Sequence, residues 1–91
     1  MENEIKAVVT VLGQDAVGII ARVSAVLAQN GANIRDIAQT VLSGMFNMMM
    51  IVDVPEQVFG TLDDALEQLG EELGLQVRMQ RSEIFDAMHR I

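Results

Sequence analysis

Residues Ile5 to Leu12 set Ile5, Ala7, Val9 and Val11 against Lys6, Val8, Thr10 and Leu12. This imperfect alternation of mostly β-branched residues predicts a strand with two largely apolar faces. From Gly18 to Gln29 the period changes: Ile19, Ile20, Val23, Val26 and Leu27 recur at helical spacing, with Arg22, Ser24 and Gln29 off the stripe. A first helix is expected there, ended by Asn30-Gly31 in a left-handed turn. Asn33 to Leu42 and Met45 to Val54 are extended runs separated only by Ser43-Gly44, the spacing of a tight antiparallel hairpin. Pro55 stops the ladder, and Phe59, Leu62, Leu66, Leu69 and Leu73 then step by three and four along a second helix. Gly74 closes it. Leu75 to Arg81 alternates strictly as a fourth strand, and Ser82 is placed to cap a short final helix from Glu83 to Arg90.

The order β-α-β-β-α-β predicts an α+β, ferredoxin-like sandwich: a four-stranded antiparallel sheet with both main helices on one face, followed by a short C-terminal helix. No linker, repeat or low-complexity segment divides the chain, so residues 1–91 are expected to form one domain. Helices cover one side of such a sheet, yet the first and third strands are apolar on both sides. Val8 with Leu12 on the first strand, and the alternating sets Phe46, Met48, Met50 and Met45, Met49, Ile51 on the third, put apolar residues on both faces. The final helix is too short to cover them all, so a second copy of the chain is the expected lid and a homodimer the expected assembly.

Composition narrows the chemistry. Hydrophobic residues make up 51% of the chain but aromatics only 3%, so the core is aliphatic and uses the seven methionines as pliable filling. Met48-Met49-Met50 fits that role better than copper binding, because a strand sends successive side chains to opposite faces. The net charge of -7 and the lack of Tyr and Trp argue against nucleic acid as a partner. No apolar run approaches the roughly 20 residues that span a bilayer, which argues against a membrane. The absence of cysteine and of a secretion-type leader leads to the expectation of a cytoplasmic protein. His89 is the single histidine, so no metal site and no cofactor are expected, and the serines have no local catalytic partner. An enzyme is not expected.

The junction from Val8 to Val23 is the informative segment. A strand passes through Gly13-Gln14-Asp15-Ala16-Val17-Gly18 into a helix, gathering unpaired N–H groups and the positive end of a helix dipole where a carboxylate can be held. Bland roles compete with ligand binding here. Gly18 serves equally well to let the helix pack closely, Asp15 suits a helix N-cap, and Asn33 tolerates a turn backbone.

The strand Ala7 to Leu12, this loop, the helix Ile19 to Gln29 and the following Gly31-Ala32-Asn33-Ile34-Arg35-Asp36-Ile37 together resemble an ACT domain, a small regulatory module that commonly binds amino acids. The ending Ile84-Phe85-Asp86-Ala87-Met88-His89-Arg90-Ile91 is similar to that of small stand-alone bacterial ACT-domain proteins. The resemblance implies a ligand at a subunit interface, between the first loop of one chain and the start of the second strand of its neighbour. On this reading Gln14, Asp15, Val17, Gly18, Ile19, Asn33 and Ile34 form the site. Val17, Gly18 and Ile19 offer N–H groups to a carboxylate, Asn33 an amide, and Asp15 a partner for an ammonium. Many ACT domains have proline where this chain has Val17. The implied function is non-catalytic: binding a small amino acid or related carboxylate and modulating a protein partner in amino acid metabolism. A ligand-free interaction or assembly module is the alternative.

Overall fold

The computed structural model describes residues 3–14 and 18–82. The elements are β1 (Glu4–Gln14), α1 (Ile19–Gln29), β2 (Asn33–Leu42), β3 (Met45–Pro55), a 3-10 turn over Glu56–Val58, α2 (Phe59–Leu73) and β4 (Gln76–Arg81). The strands form one antiparallel sheet in the order β2-β3-β1-β4, so the ferredoxin-like arrangement is present. The expected final helix lies outside the described residues.

Alternation fixes which side of the sheet is covered. Phe46, Met48, Met50, Val52 and Val54 of β3 are all buried, as are Ala7, Val9 and Val11 of β1 beside them. Ile19, Val23 and Leu27 of α1 and Leu62, Leu66 and Leu69 of α2 complete the same core, so both helices share this face. The methionine run divides by parity as a strand requires: Met48 and Met50 are fully buried, whereas Met49 is 39% exposed on the other face. On that outer face Val8 is also buried, but Leu12, Met45 and Met49 are open.

Local chemistry sets the junctions. Ser43 and Gly44 both have positive φ, 53° and 79°, the type I′ geometry that matches the twist of a two-residue hairpin. At the end of α1 the N–H of Gly31 donates to Ala28 O at 3.0 Å and that of Ala32 to Leu27 O at 3.0 Å, a Schellman closure that satisfies two terminal carbonyls. Gly70 lets α2 lie directly against the approach to β4, because a Cβ there would sit 2.8 Å from Leu75 O and 3.2 Å from Val77 Cγ2.

Several boundaries differ from the sequence reading: β1 begins at Glu4 rather than Ile5, and Pro55, instead of stopping the ladder, is the last residue of β3 and pairs with Glu4. β1 runs on to Gln14, beyond Leu12, because Gly13 has no side chain to collide with Leu75 and Gln14 still pairs with Met45. β4 starts at Gln76 rather than Leu75. The N-cap of α1 is Gly18, not Asp15: the helix begins at Ile19, more than half a turn later than a cap at Asp15 requires. β2 also carries an irregularity between Ile34 and Asp36, which places Arg35 beside Asp53 in a 3.0 Å ion pair.

Candidate functional site

β1 rises, α1 descends and β2 rises again, so the second half of β2 returns to the level at which α1 begins. There an open groove of about 430 Å³ is lined by Gly18, Ile19, Ile20 and Ala21 of the helix start, Gln39, Thr40 and Val41 of β2, and Phe46 of β3. Ile19 and Phe46 are buried and form its floor, while Ile20 is 38% and Val41 55% exposed.

Gly18 adopts φ +85°, and a Cβ added to it would meet nothing within 4 Å, so the backbone turn, rather than close packing, is what requires glycine here. Of the two roles the sequence reading weighs for Gly18, ligand approach and close packing, the second is therefore not what requires glycine. The first helical bond is Arg22 N–H to Gly18 O, 2.9 Å. The N–H groups of Ile19, Ile20 and Ala21 precede it and have no intrahelical acceptor. No acidic residue occupies the first turn and the N-cap has no side chain, so this end of the dipole is not neutralised from within α1.

The lining contains no charged side chain. Its polar groups are main-chain N–H donors and the Gln39 amide, whereas Thr40, paired with Asn47, borders it through its backbone and sends its side chain to the other face; the rest is aliphatic or aromatic surface. Such a groove holds an anionic group at the helix start and an apolar group against Ile20, Val41 and Phe46. It offers no nucleophile paired with a base. Among the described residues no group of three or more metal-ligating side chains occurs.

The residues singled out from the sequence divide into two places. Gly18 and Ile19 line the groove, and Gln14, exposed at the end of β1, pairs with Met45 next to Phe46 at the same end of the sheet. Asp15 and Val17 lie outside the described residues. Asn33 and Ile34 follow the far end of α1, a helix of 11 residues and therefore about 16 Å long. Asn33 is exposed opposite Asp53, and Ile34 packs against the core. Within one chain they do not join the groove. Ile20 and Ala21 of the helix start and Gln39, Thr40, Val41 and Phe46 of the sheet are lining residues beyond those named from the sequence, although the β-α-β order itself signals that the end of the second strand returns to the start of the helix.

Residues 6–80 match the sequence profile of the ACT domain. The chain belongs to the ACT-domain family. Proteins of this family are generally regulatory, ligand-binding modules. The chain is 53% identical over 88 residues to a UPF0237 protein of Bifidobacterium longum, spanning 94% of this chain and 98% of that one. A UPF0237 protein of Methanocaldococcus jannaschii is 51% identical over the same shares. Among solved structures, an ACT domain protein from Streptococcus pneumoniae superposes with a TM-score of 0.80 at 42% identity, covering 91% of this chain and 96% of that chain. A putative glycine cleavage system transcriptional repressor also gives a TM-score of 0.80, at 26% identity over 86% of this chain and 46% of that chain.

Proposed function

We propose that this chain is a single, non-catalytic ACT module over residues 1–91 that acts in the cytoplasm, binds a small amino acid or related carboxylate between two copies and modulates a protein partner in amino acid metabolism. The observation that carries this reading is the groove at the start of α1, where three N–H groups with no acceptor among the described residues stand beside open apolar surface with no charged lining residue. A ligand carboxylate takes the N–H groups and its side chain lies along Ile20 and Val41. Asn33 of a second copy supplies the amide that one chain does not bring to the groove. Similarity to a putative glycine cleavage repressor supports the link to amino acid metabolism. No described helix is long and apolar enough to cross a membrane.

Ligand held by two chains stabilises the assembly by mass action, about 2.7 kcal/mol when ligand exceeds Kd a hundredfold. That linkage turns metabolite level into subunit association without any reaction. A thermal-shift screen with the common amino acids at millimolar concentration tests the reading, with Ile20→Glu as control. The new carboxylate at the helix start leaves the unliganded melting temperature unchanged or slightly raised, since acid is favourable there. The same variant abolishes the ligand shift by competing for the N–H groups. If no amino acid raises the melting temperature of the native chain, the assembly-module reading, favoured by the exposed Leu12, Leu42, Met45 and Met49, takes its place.

A further inference from the structure

The helix-facing side of β2 is roofed only in part. Ile37, Gln39 and Val41 stand on that side, opposite Met50, Met48 and Phe46 of β3. The three β3 residues are buried, whereas Ile37 and Val41 are 44% and 55% exposed and Gln39 is exposed as well. α1 therefore shelters β3 and leaves the second half of the edge strand as a shelf beside the groove. At its hairpin end this shelf is hydrocarbon, with Val41 on the sheet, Ile20 on the helix and the buried Ile19 and Phe46 beneath. One side-chain row along β2, roughly 7 Å away, it becomes polar at Gln39. A single exposed valine on an edge strand is ordinary. Val41 and Ile20 differ from that case because they line the same groove over a continuous apolar floor.

The two ends of the shelf suit different chemistry. The Gln39 amide has an oxygen to accept from an ammonium and a nitrogen to donate. Beside Val41 and Ile20 the described lining side chains are all apolar. A carboxylate, ammonium or hydroxyl placed there gives up water without compensation. A hydrogen atom, as in glycine, leaves the apolar surface wet. A short hydrocarbon chain displaces that water, and each methylene buried in full raises affinity about fourfold. Branching lets one such chain touch both walls.

We propose that the groove selects an amino acid with a branched aliphatic side chain, as in leucine, isoleucine or valine, and that Val41, together with Ile20, sets this preference. The inference rests on the ligand-binding reading above and narrows it to a class of side chain.

Calorimetric titration of the full chain with the common amino acids tests it, for the native protein and for Val41→Thr and Val41→Arg. Threonine is close to valine in shape and equally suited to a strand, so it changes the polarity of the wall more than its form. The native chain binds leucine about tenfold or more tightly than alanine, and glycine, serine and glutamate more weakly still. Val41→Thr reduces the leucine-to-alanine ratio about threefold or more. Val41→Arg supplies a cation to the wall and raises the affinity for glutamate relative to leucine, a gain that misfolding does not produce. Glycine, serine or glutamate bound by the native chain as tightly as leucine, or a ratio indifferent to Val41→Thr, overturns the assignment while leaving amino acid binding intact. No binding by any of the common amino acids overturns the ligand reading and this inference with it.

Discussion

At the scale of single residues, Gly18 and Gly60 make a matched pair. Neither has any atom within 4 Å of the position a Cβ would take, so a methyl group meets no steric conflict at either site. They differ in backbone: Gly18 sits at φ +85° before α1, whereas Gly60 lies in the first turn of α2. Gly18→Ala therefore costs about 1–2 kcal/mol through the left-handed backbone alone. Gly60→Ala is neutral to stabilising by about 0.5 kcal/mol, through lower unfolded-state entropy. Urea unfolding of the two variants checks the sign of each. Equal effects would remove the argument that Gly18 is required by its turn. The residue scale is also where sequence reasoning was least complete. Glycine at position 18 was legible as special, but that its turn backbone, and not close packing, requires it is visible only once φ and the surrounding space are known.

At the scale of elements, the central strands and the edge strand differ sharply. β1 and β3 pair with neighbours on both sides, and Ala7, Val8, Val9, Val11, Phe46, Met48, Met50, Val52 and Val54 are all buried within them. β2 has no fully buried residue and one unpaired edge. Amide hydrogen exchange is therefore slowest in β1 and β3 and fastest among the strands in the second half of β2, where the groove residues Gln39 to Val41 lie. Uniform protection across the sheet would contradict this ordering.

The bounds of β2 were readable in full, because Gly31 and the Ser43-Gly44 turn punctuate it on both sides. Those of α2 were equally clear from its leucine spacing and Gly74. The end of β1 was not, since glycine ordinarily argues against a continuing strand, and only Leu75, distant in the chain, explains why Gly13 remains in the ladder. The groove was half legible for the same reason. Gly18 and Ile19 announce the helix start locally, whereas Val41 and Phe46 reach it only through the register of the assembled sheet.

At the scale of the whole molecule, the fold separates two surfaces with different work. The groove lies at the edge of the helical layer and is suited to small, polar-ended molecules through its backbone donors. The outer sheet face is broad, apolar and margined by charge, features suited to another protein surface. On the proposed reading, occupancy of the groove alters association through the interface that brings Asn33 of a second copy to it. Coupling of this kind needs only a different ligand affinity in the associated and separate states.

The most direct test of the central claim is a titration of the isotope-labelled chain with individual amino acids, following backbone amide resonances. Binding at the groove predicts saturable shifts centred on the N–H groups of Ile19, Ile20 and Ala21, with smaller changes at Gln39 to Val41. Saturable shifts confined to other parts of the chain, or none with any amino acid at millimolar concentration, would contradict the account.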